Sequence, residues 1–443
     1  MKTELPTAHE KENTAHQNLD ERFARRPHLR RRLFTIADMI DQAVAEGCTA
    51  HQAEARAIEQ IRQLGNEVVT DWAEKSEQAA REKAQQKDPR LGPYRKKKLL
   101  SWHSTYGEIL ILEQRLRVGR RGAQVRPFCE VAQITQRAYS LPLQRALTDF
   151  GAEESFRCAT QKMREHYGTD LGASAARTQT LIHAKAIGGV EHPPPRQSVQ
   201  TLVSQLDGSM IPMVRTGTGE AADKRKEKEL YWREVRLCCA RPKDAVDCLY
   251  GATLGSINLA GLLWHETARA AGLGPATHVH GLGDGATCIM NCFAEQFGTQ
   301  GKYTVDFWHV SEYLGEAAKV VAPQSNKDWL HEQQGKLLQN EVEVVLRCLE
   351  KKLEPAEQEE SPIRSAYGYV KARKDHLDYA GARAAGLPIG SGEIEGGHRH
   401  VIQERLKISG AWWLEQTAEW MLQLRTRRAN KDWEKYWSEV AKN

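Results

Sequence analysis

Two adjacent glycines followed closely by three adjacent prolines, Gly188-Gly189 and Pro193-Pro194-Pro195, interrupt every hydrophobic period in the chain. Proline fixes φ and has no amide proton, so neither a helix nor an inner strand runs through such a segment. The chain must therefore fold as separate parts on either side of it, and its 443 residues argue independently for more than one domain. Residues 189–198 read as an interdomain linker. Upstream the periodicity is mainly helical, and downstream it is that of an α/β domain.

Residues 1–90, rich in Ala, Glu, Gln, Lys and Arg, carry Ile36, Met39, Ile40 and Val44 at helical spacing and predict a helical arm. Residues 91–137 are basic and β-prone, with Tyr106 to Leu112 and Leu116 to Val118 as short strands. The whole chain has a formal charge of only +5, but Arg81 to Arg126 holds 13 Lys and Arg against 4 Asp and Glu. Lys96, Lys97 and Lys98 lie at its centre. Clustered cations attract a polyanion because each neutralised phosphate releases counterions, although a solvated basic surface would read the same way.

Residues 138–188 contain three short helical periods: Leu143, Ala146, Leu147 and Phe150; Phe156, Ala159 and Met163; and Ala175, Thr178, Leu181 and Ile182. A turn at His166 to Asp170 precedes the last, with Ser174 as its expected N-cap. The pattern fits a helix-turn-helix region whose final helix presents Arg177, Gln179 and Lys185 outward, or else plain helical packing.

The apolar fraction, 40%, suffices for a sizeable core. No window approaches the roughly 18–20 apolar residues of a membrane-spanning helix, and the opening residues are too polar for a signal peptide, so no membrane partner and a cytoplasmic location are expected. The nine cysteines are scattered without C-x-x-C spacing and read as reduced core thiols.

Downstream, Thr201 to Leu206 predicts a strand ending at Asp207, with Ile211 to Val214 as its hairpin partner and Trp232 to Ala240 as a third strand. A helix from Ile257 to Ala271, a strand from Thr277 to Leu282, a helix from Ala286 to Phe297 and a strand from Tyr303 to Phe307 follow. Helices then dominate from Val310 to about Tyr379 and again from Ser391. In this β-β-β-α-β-α-β order, acids terminate the first and fourth strands. Were those strands neighbours, Asp207 and Asp284 would lie side by side, and paired carboxylates call for a hard divalent cation. Asp-Gly is also a common turn dipeptide, and Asp207-Gly208 and Asp284-Gly285 admit that simpler reading.

A third acid comes from Gly390-Ser391-Gly392-Glu393-Ile394-Glu395. On one helix over 393–406, side chains two apart diverge by about 200°. Glu395 shares a stripe with His398, Ile402 and Leu406, whereas Glu393 aligns with Gly397, His400 and Glu404. That geometry turns Glu395 inward and makes Glu393 dispensable. A helix beginning only after Gly397 would reopen the choice.

These pieces together resemble the bacterial insertion-sequence transposases that carry an Asp-Asp-Glu site on an RNase H-like fold, most closely the ISKra group. The resemblance rests on VSQLDGSMIPMV, HGLGDGATCI, YTVDFWHVSEYL, LPIGSGEIEGGHRHVIQERLK, GAWW and LRTRRANKDWEKYW, and extends upstream over SLPLQRALTDFGAEESF and HYGTDLGASAARTQTLIHA. It covers most of residues 100–440. It implies an RNase H-like catalytic domain over 199–443 with a helical insertion at about 313–385. Asp207, Asp284 and Glu395 would be the catalytic, metal-binding triad, holding two Mg²⁺ or Mn²⁺ ions, and Asp306 and His309 a structural or DNA-contacting signature. Some relatives bind zinc through N-terminal cysteine pairs; this chain has only Cys129 in that region, so no zinc is expected. The implied partner is double-stranded DNA, both transposon ends and target, bound by a homodimer or higher oligomer that is nucleoid-associated while on DNA.

The implied reaction is metal-assisted phosphoryl transfer, with DNA strand cleavage followed by strand transfer. His398 and Arg399 are candidates for the scissile phosphate, and Arg405 and Lys407 for the flanking strand. Two rivals remain: a non-catalytic DNA-binding relative, and a metal-dependent hydrolase of small molecules built from His278, His280, Asp284, Asp306 and His309.

Overall fold

The computed structural model describes residues 21, 23–135, 137–188, 197–217, 227–353 and 361–442. The chain divides into two compact units, residues 1–150 with 156–176, and residues 151–155 with 177–443.

In the first unit, helices α1 (Pro27–Ala45) and α2 (Ala50–Lys87) form the expected arm. They run antiparallel, linked by Arg26 Nε to Asp71 at 3.1 Å and Arg32 Nε to Glu67 at 2.9 Å. Thr49 and Gln52 cap α2 reciprocally, each side chain accepting the other's amide. Six short strands follow: β1 (Leu91–Pro93), β2 (Lys98–Ser104), β3 (Gly107–Glu113), β4 (Leu116–Val118), β5 (Gln124–Val125) and β6 (Ala138–Tyr139). They make two three-stranded sheets, β1-β4-β5 and β3-β2-β6. Alternation along β3 buries Ile109 and Ile111 against Ala73, Leu100 and Phe128 from α2, β2 and helix α3 (Pro127–Ala132).

Helices α4 (Leu141–Glu153), α5 (Phe156–Tyr167) and α6 (Ala173–Ile187) occupy the three predicted helical stretches. Their details differ from expectation. Ser174 lies inside the first turn of α6 rather than at its cap. The buried face of α6 is Ala176, Thr180, Leu181, His183, Ala184 and Ile187; of the expected stripe Leu181 is buried, Ala175 half-buried, and Thr178 and Ile182 exposed. Residues 177–187 belong to the second unit, so the three helices are not one self-contained module. The linker expected at 189–198 lies outside the described residues over 189–196.

The second unit is built on a five-stranded sheet in the order β11-β10-β7-β8-β9. Strand β7 (Thr201–Arg215) is one continuous strand passing through Asp207, not a strand and its hairpin partner. The Asp-Gly pair stands inside a ladder, Asp207 opposite Leu237 and Gly208 opposite Arg236, because β8 (Glu229–Pro242) pairs with β7 along its whole length. β9 (Leu249–Thr253) completes the antiparallel part, whereas β10 (His278–Gly283) runs parallel to β7, and β11 (Gly301–Val305) parallel to β10.

One face of the sheet packs Leu202, Leu206, Cys238 and Ala240 against helices α7 (Ile257–Ala271) and α8 (Thr287–Phe297) through Trp264, Phe293 and Phe297. The Trp264 indole donates to Ser204 Oγ at 2.7 Å. The expected helices after β11 are α9 (Phe307–Val321), α10 (Asn326–Leu338), α11 (Val342–Glu350), α12 (Pro362–Ala372) and α13 (Tyr379–Ala384), and they extend this same core. The opposite face carries a helical run that is α over Gly392–Gly397 (α14), π over His398–Gln403, and α again to Leu406. Helix α15 (Glu415–Ala429) closes the free edge of β9: Glu419 accepts from Leu254 N, Gln423 donates to Ala252 O, and Asn430 exchanges two bonds with Tyr250. Trp413 pairs with the end of β7, and α16 (Trp433–Val440) follows.

No described helix is long and apolar enough to cross a membrane. None of the nine cysteines, all described, forms a disulfide, but only Cys238, Cys239 and Cys292 are buried, and Cys158 and Cys288 are exposed, which corrects the core-thiol expectation.

His183 on α6 lies 2.7 Å from the Tyr436 hydroxyl with its ring against Trp437, and burial pushes its pKa down to about 4. Between the ordinary value near 6.5 and about 4, the unfolded chain takes up a proton that the folded chain refuses, so stability falls as pH falls through that window. The expected loss by pH 4 is about 3 kcal/mol. Urea denaturation across this range should show a flatter pH dependence for His183→Gln; an unchanged slope would refute the assignment.

Candidate active site

The parallel register of β10 on β7 places Leu282 beside Gln205, and two further residues along each chain bring Asp284 level with Asp207. Strand alternation gives Gln205 and Asp207 the same face, the one that carries α14. Asp207 Oδ1 accepts the Gly208 amide at 2.7 Å, and Asp284 Oδ1 accepts the Ala286 amide at 2.8 Å. Gly285 takes the left-handed conformation, φ +74°, that turns the chain from Asp284 into α8. From α12, Tyr369 donates to the Asp284 carbonyl and Arg373 Nε donates to that of Gly285 at 2.8 Å. The pKa of Tyr303 is raised, first by burial and then by the charges of Asp284 and Asp207, so both carboxylates lie within electrostatic reach of one phenol.

The third acid departs from expectation. His398, Ile402 and Leu406 are buried as the stripe requires, but Glu395 at its start is exposed. Its Oε1 lies 3.3 Å from Ser391 Oγ. The Ser391 amide in turn donates to buried Asp306 at 2.6 Å, and its hydroxyl donates to the same oxygen. One turn beyond Glu395, His398 is 4% exposed with Nε2 3.2 Å from Asp207 Oδ2. Asp207, Asp284 and Glu395 do not all approach within 4.8 Å of one another; among the described residues only Cys239, Cys248 and Glu393 form such a group.

Glu393 is not a dispensable surface acid. Arg241 Nε donates to its Oε1 at 2.9 Å, and Gln205 Nε2 to its Oε2 at 3.2 Å. Gln205 also accepts the Ile394 amide at 3.1 Å. The single α-helix assumed over 393–406 is interrupted by the π stretch, and Glu393 and Glu395 engage different partners from its first turn.

Asp306 caps α9, accepting from the Trp308 and His309 amides, while His309 packs among Glu312, Tyr313 and Tyr369. Arg399 is 75% exposed at its side chain. Arg405 is the clear correction among the expected DNA contacts: it is 2% exposed, donates to the Gly151 carbonyl at 2.9 Å, and stacks on Trp413. Burial pushes its pKa down to about 10. A guanidinium committed to the core cannot reach a DNA strand. Lys407 donates to Ser209 Oγ at 2.9 Å.

On the first unit, Lys96, Lys97 and Lys98 are exposed, and Arg95, Arg115 and Arg117 surround the Tyr94 ring at 4.9–5.6 Å. Arg126, in contrast, is held by buried Glu113 at 2.6 Å. On α6, Arg177 and Lys185 are exposed, Gln179 is half-buried, and Lys185 lies 5.6 Å from the Trp420 ring. The hydrolase set is not gathered: His278 and His280 line a cavity of about 480 Å³ whose lining includes neither Asp284, Asp306 nor His309, and His280 Nε2 is bonded to the Pro388 carbonyl.

Sequence reasoning missed Gln205, Arg241 and Ser391. Gln205 was accessible through period-two alternation from Asp207; Arg241 and Ser391 required the β7–β8 register and the path of the chain after β11. No protein-family model matches the chain, and no curated protein matches it.

The Arg241 side chain is only 13% exposed. Glu393→Gln should leave it without its anion and lower stability by about 1–3 kcal/mol. A double-mutant cycle with Arg241→Met, followed by chemical denaturation, should return a coupling of similar sign; zero coupling would remove the pair from the stability of α14.

Proposed function

We propose that the chain is a DDE-type transposase that binds transposon ends and catalyses metal-dependent DNA strand cleavage and strand transfer. The observation that carries the reading is the placement of Asp207 and Asp284 on neighbouring strands of a sheet whose order in sequence is 3-2-1-4-5, antiparallel for the first three strands and parallel for the last two. That order and those directions support an RNase H-like domain, in which the helices between β11 and α14 would be the insertion.

The donor types suit the metal this reading needs, and Glu395, which does not stand with Asp207 and Asp284 here, would have to close on it. Three carboxylates offer hard oxygen ligands, which suit Mg²⁺ or Mn²⁺. When bound, two such ions would supply Lewis-acid stabilisation of the attacking and leaving oxygens at phosphorus. Asp207, Asp284 and Glu395 would hold them. The chain's own contribution is placement: His398 stands 3.2 Å from the Asp207 carboxylate on its buried side, and the Asp306–Ser391 bonds set the start of α14, hence Glu395. Arg399, exposed and 3.8 Å from Glu404, is suited to exchange that partner for a phosphate near the site, and Lys96, Lys97 and Lys98 suit the duplex backbone. Arg177, Gln179 and Lys185 would read the transposon end. The family resemblance further implies a homodimer or higher oligomer on paired ends.

Asp207→Asn, Asp284→Asn and Glu395→Gln should each abolish Mg²⁺-dependent cleavage of a duplex bearing the terminal repeats that flank the reading frame, with DNA binding retained. The two Asn variants should melt close to the parent, because Asn keeps the side-chain oxygen that accepts the Gly208 and Ala286 amides. Binding without cleavage by the parent protein would make it a DNA-binding regulator, and retained cleavage by any variant would remove that residue from the site.

Binding should divide by surface. Replacing Lys96, Lys97 and Lys98 by Ala should weaken all duplexes and flatten the salt dependence, whereas Arg177→Ala or Gln179→Ala should reduce end preference by roughly 1–3 kcal/mol. Titrations of cognate and scrambled duplexes at several salt concentrations would overturn this division if both sets acted alike.

A further inference from the structure

Cys239 on β8, Cys248 one residue before β9, and Glu393 at the start of α14 come from three separate elements, yet their two sulfurs and one carboxylate oxygen lie within 4.8 Å of one another. The ladder explains how. Cys239 stands opposite Tyr250, and the same register continued brings Cys248 level with Arg241, so both thiols emerge on the face that α14 covers. Cys239 is 1% exposed and Cys248 half-buried. The Cys248 sulfur is 3.7 Å from Glu393 Oε2, and the other carboxylate oxygen is held by Arg241. Tyr250, two residues on from Cys248 and opposite Cys239, shares their face of the sheet.

We infer that Cys239, Cys248 and Glu393 form a structural site for a thiophilic divalent cation of the zinc class, with the fourth position left to solvent beside Tyr250. Tetrahedral zinc with Zn–S near 2.3 Å and Zn–O near 2.0 Å separates its ligand atoms by about 3.5–3.8 Å, so the group needs only a small contraction to close on the ion. Magnesium is excluded by its preference for oxygen ligands.

The charges balance. Without the ion, two neutral thiols accompany the Glu393 carboxylate and the Arg241 guanidinium, for a sum of zero. Binding breaks two S–H bonds, forms two Zn–S bonds and releases two protons to solvent; two thiolates, one carboxylate, Zn²⁺ and Arg241 again sum to zero. Arg241 is therefore compatible with the cation: it compensates the third negative ligand. The ion would tie β8, β9 and α14 together two residues before Glu395 and one strand away from Asp207. The site stands apart from the proposed carboxylate triad and does not depend on the transposase reading.

The test uses the full chain without DNA, purified without a metal-chelate column, stripped, loaded with Zn²⁺ and desalted over chelating resin. Elemental analysis should find one zinc per chain, and anaerobic Co²⁺ titration should produce a thiolate-to-cobalt charge-transfer band. Cys248→Ser and Cys239→Ser should lose both, Glu393→Gln should weaken retention, and Cys158→Ser, at an exposed thiol, should leave both unchanged. Circular dichroism checks that each variant is folded; Cys248, being half-buried, is the safer of the two cysteine changes, and the cobalt spectrum of the unaltered chain needs no variant. Absence of retained zinc and of the band in the unaltered chain, equal loading in a folded Cys248→Ser chain, or a Cys239–Cys248 disulfide found by mass before and after reduction would each overturn the site.

Discussion

The parallel pairing of β10 with β7 is the constraint on which the rest of the second unit depends. It joins segments 77 positions apart and runs through the middle of the sheet, so β7 is hydrogen-bonded on both sides. Such a pairing cannot be made by a tight turn. The chain between must leave and return, and β8, β9 and α7 form that excursion. Once the register is set, Asp207 and Asp284 have no independent freedom: their separation follows from the ladder, and the Ala286 amide and Gly285 conformation fix how the chain leaves Asp284.

The second determinant is the close approach of α14 to the sheet. A Cβ at Gly397 would stand 2.7 Å from Tyr250 Cε1 and 3.0 Å from Leu237 Cδ2, so this helix reaches its position only because residue 397 has no side chain. Polar bonds anchor its other end, from Asp306 to Ser391 and from Gln205 to Glu393 and the Ile394 amide. Tight packing at one end and buried hydrogen bonds at the other leave little room for rotation. The two glutamates consequently fall into different surroundings, Glu393 against Arg241 and the thiols, Glu395 beside Ser391 at the surface.

Charge takes two distinct roles in this molecule. Arg405 and Arg425 are buried, Arg405 donating to the Gly151 carbonyl and Arg425 to the Val401 and Ala152 carbonyls and the Glu153 carboxylate, while Arg126 is matched by Glu113. Lys96, Lys97, Lys98 and Arg399 remain at the surface. A buried guanidinium is tolerable when its donors are satisfied, and its planar fork suits several carbonyls at once, whereas an ammonium is hydrated and stays outside. Local charge excess therefore overstates the cations free to meet a partner.

Local patterning by itself determined most elements: the helical arm, the β-prone run of β3, the helix over Ile257–Ala271 to the residue, and the strand before Asp284 to within one position. These depend on near-neighbour periodicity and caps, which a linear sequence contains. It also marked Asp207 and Asp284 as strand-associated acids. Tertiary structure alone decided that Asp207 lies within a strand rather than at its end, because only β8 running past both sides turns Asp207-Gly208 from a turn dipeptide into a ladder position. It decided which face of α6 is buried, that Arg405 belongs to the core, and that Glu393 is an ion-pair partner. It brought Cys239 and Cys248 together although no cysteine spacing announces it. In each case the deciding contact is a pairing register or a helix docking between segments far apart in sequence, and that information resides in the packing free energy of the whole unit rather than in any window of the chain.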